Sequence, residues 1–120
     1  MSNENLRQRT KKFALDVIKF VEALPHDDTC RILGRQLLRS GTSVGANYRA
    51  ACRAKSTADF INKMGNVEEE ADEAVYWLEL LVGDGKVPNS KAGPLAKEAD
   101  ELVAIAVASI NTARRSGGRP

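Results

Sequence analysis

Residues 56–85 read STADFINKMGNVEEEADEAVYWLELLVGDG, and this stretch decides the fold of the 120-residue chain. Its apolar residues recur at alternating spacings of four and three, which is typical of a coiled-coil-like helix sustained over three heptads. Ser56, followed three residues later by Asp59, resembles a capping box and predicts the helix start, and Gly83-Asp84-Gly85 predicts its end. The apolar seam consists of Phe60, Met64, Val67, Ala71, Ala74, Leu78 and Leu81.

The same periodicity continues on both sides of this helix. Pro25 ends the first helix, because the residue before a proline is pushed out of the α region, and Pro94 suits the first turn of the fourth. We therefore predict an all-α fold, an antiparallel up-and-down four-helix bundle with a long second helix. The bundle is expected to be one domain, residues 1–115, and residues 116–120 a disordered tail. Helices are predicted at residues 5–24, 27–54, 57–82 and 93–114.

The segment Ser40–Asn47, SGTSVGAN, leaves two structures open. Each glycine costs about 1 kcal/mol relative to alanine in a helix, so the segment could be a loop that divides helix 2. Alternatively, helix 2 is continuous and kept thin so that another helix approaches closely. The spacing from Leu37 to Tyr48 stays in helical register, which favours continuity, and Gly41 is the place for a kink. Gly45 is then expected at a close helix–helix contact.

The residues that most catalytic or metal sites require are scarce. His26 is the only histidine, whereas di-iron bundles need Glu-x-x-His pairs on facing helices. Cys30 and Cys52 are interpreted as small hydrophobes without a disulfide. Residues 1–12 lack the apolar core of a signal peptide, and the apolar run 102–110 is half the length of a membrane span. We expect a cytoplasmic, non-enzymatic protein without metal, cofactor, membrane contact or small-molecule substrate.

Charge separates along the chain. Residues 27–55 carry a net charge of +4, and residues 59–79 carry −6. At about 100° per residue, five arginines of helix 2 fall within about 80° of one another, along a stripe about 33 Å long. This arginine stripe, the candidate nucleic-acid-binding site, consists of Arg31, Arg35, Arg39, Arg49 and Arg53.

Three interpretations of the arginine stripe remain open. It could follow the phosphate backbone of RNA or DNA, for which affinity comes from neutralised phosphates. No aromatic ladder interleaves with it, so base stacking is not indicated. Alternatively, the arginines pair with helix 3 carboxylates such as Glu69 and Glu73, within or between subunits. A protein partner with an acidic surface is the third interpretation.

Helix 4 carries apolar residues around most of its circumference, including Val103, Ile105, Val107 and Ile110. Such a helix must be covered on more than one side. Three partner helices in one small bundle cannot easily provide that cover, so we expect the chain to form a homo-oligomer.

The segment Gln36–Tyr48, QLLRSGTSVGANY, resembles the signature of the 23S rRNA intervening-sequence protein family. The similarity continues through Asp59-Phe60, Glu70–Glu73 and Tyr76–Leu80, and it includes Leu24-Pro25 at the first turn. The resemblance implies an up-and-down four-helix bundle that assembles into a ring, with a pentamer as the best single expectation. It also implies no established enzymatic activity. A related branch, the accessory variability proteins of diversity-generating retroelements, forms a basic pentameric barrel that binds a reverse transcriptase and nucleic acid.

These observations lead to two functional hypotheses. The first is a homo-oligomer that binds RNA or DNA through the arginine stripe without reading sequence. The alternative is a protein-interaction scaffold in which the same arginines form ion pairs between subunits.

Overall fold

Four α-helices make up the fold in the computed structural model, which describes residues 3–117 and the side chains of residues 4–116. Connections of four or five residues make consecutive helices antiparallel. Each helix packs on its neighbours in the chain, and α1 also touches α4, which closes a bundle 55 Å long. The predicted fold class is confirmed. The helices are α1, Asn3–Glu22; α2, Asp28–Cys52; α3, Thr57–Gly83; and α4, Asn89–Gly117.

Side-chain caps set the first turns of α2 and α3. The Asp27 carboxylate accepts a hydrogen bond from the backbone N–H of Cys30 at 2.7 Å. The Ser56 hydroxyl oxygen accepts one from the backbone N–H of Asp59 at 3.0 Å, and the Asp59 carboxylate accepts one from that of Lys55 at 3.1 Å. These bonds satisfy N–H groups that have no partner within a helix. The predicted N-terminus of α3 is confirmed.

Gly85 ends α3 as the sequence predicts. Its φ of +73° lies in the left-handed region, which glycine enters without steric cost. The backbone N–H of Lys86 donates to the carbonyl of Leu81 at 3.0 Å, and that of Gly85 donates to Val82 at 2.9 Å. This pair of bonds is a Schellman motif, which turns the chain sharply toward α4.

Helix α2 is continuous through Ser40–Asn47, so the predicted loop alternative is wrong. The glycines lie where α1 comes closest. A Cβ atom at Gly41 would lie 2.9 Å from Cγ2 of Val17, and one at Gly45 would lie 3.2 Å from Oγ1 of Thr10. The expectation of a close helix–helix contact at Gly45 is confirmed.

Gly34 belongs to the same contact, although the sequence analysis did not single it out. A Cβ atom there would lie 3.1 Å from Cδ1 of Leu24. Gly34, Gly41 and Gly45 therefore line the side of α2 that meets α1. They extend from near the α1–α2 connection to the other half of the bundle. The absence of side chains lets the two helix backbones approach, and this approach fixes the register of α1 against α2.

Helix α4 differs from its prediction at both ends. It begins at Asn89, so Pro94 is the sixth helical residue and does not lie in the first turn as predicted. The missing N–H of Pro94 removes one i→i−4 hydrogen bond, which the helix tolerates near its start. Helix α4 extends to Gly117, into the predicted tail; residues 118–120 lie outside the described residues. In its last turns Ile110 is buried and Ser109 is half-buried.

The core runs along the bundle axis and draws on every helix. Its large, fully buried side chains include Phe13, Leu37, Met64, Leu78 and Leu102. The predicted seam of α3 is buried from Met64 to Leu81, and Phe60 is half-buried at the end of the bundle. The apolar stripes have thus met in one continuous core, and the charged residues lie on the outside.

Candidate nucleic-acid interface

The arginine stripe lies on the side of α2 that faces away from the core. Burial of Leu37, Val44 and Tyr48 fixes the rotation of the helix, because these residues share the face that packs on α1 and α3. All five arginines are exposed. Arg53 follows the last helical residue and is the C-cap of α2, whereas the other four are within the helix. Arg31, Arg35, Arg39 and Arg49 therefore lie on the exposed side of α2, and Arg53 lies just beyond its end.

In the N-terminal half of α2, carboxylates contact the arginines. Arg31 pairs with Asp28 of its own helix at 2.7 Å. Arg39 reaches α3, where its guanidinium forms ion pairs with Glu70, at 3.1 Å, and with Glu73. Desolvation lowers the pKa of Arg39, but the same two carboxylates together outweigh it, so that the pKa is raised. Helix 3 carboxylates do meet the stripe, but through Glu70 and Glu73, whereas the sequence analysis had named Glu69 and Glu73.

The other arginines of the stripe are not all paired with carboxylates as Arg39 is. Among residues 4–116, no carboxylate lies within ion-pair distance of Arg35, Arg49 or Arg53. Arg35 shares a groove with Glu22 and Asp27 at the α1–α2 turn, so acidic groups are nearby. Arg49 and Arg53 lie at the opposite end of the bundle.

A cleft between α1 and α2 adds two cations that the sequence analysis did not consider. Arg7 and Lys11 of α1 line it from one side and Arg49 of α2 from the other. Its volume is about 270 Å³, and its other lining residues are small. The signal in the sequence is the spacing of Arg7 and Lys11, which puts both on one face of α1. We call this feature the α1–α2 cleft; it is lined by Arg7, Thr10, Lys11, Ala14, Thr42, Gly45, Ala46 and Arg49.

Other cations of α1 face α4 and are paired. Arg9 donates to Glu98 at 2.6 Å and to Glu101 at 3.0 Å, and Lys12 pairs with Asp16 at 2.7 Å. The hydrogen bond from Arg9 lowers the pKa of the Glu98 carboxyl, against the opposing effect of burial. The pairs of Arg9 bridge α1 and α4, whereas the pair of Lys12 and Asp16 lies within α1.

Helix α3 presents an acidic outer face. Glu69, Asp72 and Glu79 are exposed there together with Tyr76, whose ring stacks obliquely on Trp77 with centroids 5.2 Å apart. The outer face of α2 is basic and that of α3 acidic, so two copies of the chain carry complementary surfaces. This is the arrangement that the scaffold hypothesis requires.

Most of the apolar circumference of α4 is covered within the chain. Val103 and Ile105 pack against the core, and Ile110 is buried. Val107 remains 38% exposed, beside the exposed Ala104. The apolar surface left for another subunit on α4 is therefore smaller than the sequence predicts.

Burial limits the chemistry of both cysteines. Cys30 is buried, and burial raises the pKa of its thiol. Cys52 is half-buried next to Tyr48, whose own pKa is raised by burial and then by its hydrogen bond with Cys52. Within the described part of the chain, no group of three His, Cys, Asp or Glu side chains is arranged to hold a metal ion. In the same residues, no helix is long and apolar enough to span a bilayer.

Comparisons with known proteins agree with the geometry. The family model described as 23S rRNA-intervening sequence protein matches residues 3–108. The fold is similar to the crystal structure of a protein with unknown function from the S23 ribosomal protein family of Bacteroides thetaiotaomicron VPI-5482. The TM-score is 0.85 at 32% sequence identity, over 92% of this chain and 99% of that one. No curated protein matches the chain. The resemblance carried by Gln36–Tyr48 is thereby confirmed, and the chain belongs to the 23S rRNA-intervening sequence protein family.

Proposed function

We propose that this protein is a non-enzymatic homo-oligomer that binds the phosphate backbone of RNA or DNA through α2, without reading sequence. The observation that carries the proposal is the state of Arg35, Arg49 and Arg53. Arg35 and Arg49 are exposed on the solvent side of α2 and Arg53 is exposed at its C-cap, and no carboxylate among residues 4–116 pairs with them. Exposed guanidinium groups can each release a counterion from a phosphate, which is the main source of non-specific affinity.

The absence of base readout follows from the residues between the arginines. Thr42 and Ser43 are half-buried, and their hydroxyls donate to the helix backbone, to Leu38 and Arg39 carbonyls at 2.7 Å. Those donors are therefore not free for base edges. Contacts of arginines with phosphates position a nucleic acid but do not specify its sequence.

A titration tests this proposal. A fluorescent single-stranded RNA is titrated with the protein at about 50 mM and about 200 mM salt, since phosphate contacts are strongest at low salt. Replacing Arg49 or Arg53 by alanine should weaken binding to all sequences alike and lower the salt slope, the fall of log K with log salt concentration, by about 0.7, the contribution of one phosphate contact on a single strand. Lys97→Ala, which removes an exposed cation of α4, is the matched control and should leave the slope unchanged. Failure of the unmodified protein to bind at about 50 mM salt would overturn the proposal.

Assembly is tested in the same samples. Light scattering at micromolar concentration should give a multiple of the 13.0 kDa chain, with five copies as the expected number. A particle of 13.0 kDa would refute the oligomeric part of the proposal.

The contacts of Arg39 favour one alternative, a protein-interaction scaffold. Arg39 forms ion pairs with Glu70 and Glu73, so carboxylates of α3 are able to neutralise an arginine of α2. If Arg49 and Arg53 meet the acidic face of α3 in a neighbouring subunit, truncating either one leaves a carboxylate unpaired. The oligomer would then dissociate more readily. Loss of assembly in Arg49→Ala, with no RNA binding by the unmodified protein, is the result that selects the scaffold.

A further inference from the structure

The two halves of the arginine stripe differ in their electrostatic surroundings. Arg31 and Arg39 are paired with carboxylates, and Arg35 shares its groove with Glu22 and Asp27. Some 15 Å further along α2, at about 1.5 Å per residue, the surroundings change. The α1–α2 cleft is lined by three cations and by no acidic residue.

The proposal made above locates nucleic-acid binding on α2 alone. Resting on that function, we propose that the binding site is the α1–α2 cleft, in which Arg7 and Lys11 of α1 and Arg49 of α2 hold the phosphates of one strand from two sides. Neither the arginine stripe nor the family match assigns Arg7 or Lys11 to a site.

The shape of the cleft suits a phosphodiester backbone. Ala14, Gly45 and Ala46 also line it, so the cleft contains short side chains beside the long cationic ones. The close approach of α1 at Gly45, where a Cβ atom would lie 3.2 Å from Thr10, brings the cations of two helices to one groove. A phosphate in the cleft would meet cations of both helices, which a single helix face cannot provide.

The charge of the surrounding surface supports the same location. The ends of α2 and α4 are adjacent, since Cys52 and Ser116 line one pocket. This end of the bundle carries the exposed cations Arg53, Arg114 and Arg115. A positive surface around a groove raises the local concentration of a polyanion and steers its association.

Adjacent lysines provide the matched test. Lys11 lines the cleft, whereas Lys12 has the same charge and the next position in the chain but faces α4 and pairs with Asp16. Each phosphate contact on a single strand contributes about 0.7 to the salt slope, so a lost contact weakens binding about 8-fold at about 50 mM salt and about 3-fold at about 200 mM. We expect these losses for Arg7→Ala and Lys11→Ala and no loss for Lys12→Ala. Arg7→Lys, which keeps the charge, should bind like the unmodified protein.

The outcomes separate this inference from the function on which it rests. If the unmodified protein binds no single-stranded RNA at about 50 mM salt, where phosphate contacts are strongest, both are wrong. If Arg49→Ala weakens binding while Arg7→Ala and Lys11→Ala match Lys12→Ala, nucleic-acid binding by α2 stands and the cleft is wrong. Equal losses for Lys11→Ala and Lys12→Ala indicate a general effect of charge and also overturn the cleft. Far-UV circular dichroism and sizing of each variant confirm that the comparison is between folded, equally assembled proteins.

Discussion

Adding one methyl group to α2 at Gly41 should destabilise the bundle, although it improves helix propensity. An alanine gains about 1 kcal/mol over glycine within a helix. At Gly41, however, the new Cβ atom would lie 2.9 Å from Cγ2 and 3.0 Å from Cγ1 of Val17, a fully buried side chain. Valine is stiff about χ1 and cannot turn both methyl groups away. Overpacking of this kind costs about 1–3 kcal/mol. After the gain in helix propensity is subtracted, the free energy of unfolding should fall by up to about 2 kcal/mol.

Gly65 is the matched control, because it is also within a helix but a Cβ atom added there would have nothing within 4 Å. Gly65→Ala should stabilise by about 1 kcal/mol. In urea denaturation followed by circular dichroism, the two variants should differ in midpoint by about 0.5–1.5 M, for an m-value of about 2 kcal/mol/M. Both are measured at one protein concentration, because an oligomer's stability depends on it. In a Val17→Ala background the cost of Gly41→Ala should fall. Equal midpoint shifts for Gly41→Ala and Gly65→Ala would refute the close contact.

Two further predictions concern α1. Gly45→Leu should cost about 1–3 kcal/mol by overpacking against Thr10, and an unchanged urea midpoint would contradict the contact. Arg9 lowers the pKa of Glu98 in the folded state below its usual value of about 4.5. The ionised Glu98 therefore stabilises the fold fully above about pH 4.5, and this stabilisation is lost as the pH falls through the lowered pKa of the folded state. Glu98→Gln should therefore be less stable than the unmodified protein near neutral pH. The difference between their free energies of unfolding should shrink as the pH falls below about 4.5. The ion pair would be ruled out as the cause if this difference stayed constant to about pH 3. It would also be ruled out if Asp100→Asn showed the same pH dependence.

Much of the candidate site could be predicted from the sequence, for a local reason. Arg31, Arg35 and Arg49 belong to one helix, so their angular positions follow from their spacing once that helix is continuous. Their partners could not be predicted in the same way. Glu69 and Glu70 are adjacent in the chain, and the rotation of α3 against α2 decides which of them Arg39 reaches. Glu69 is the partner expected from the sequence, whereas Arg39 pairs with Glu70 in the structure.

The sequence by itself determined the four helices, the N-terminal cap of α3 and the glycine turn after α3, because each depends on residues within a few positions of one another. Only the tertiary structure decided what lies against the glycines of α2 and where the free cations gather. Arg7 and Arg49 are far apart in the chain, and they share a cleft because Gly41 and Gly45 let α1 pack closely at one register. That register arises from side chains of two helices meeting at van der Waals distance, and no spacing along either helix contains it.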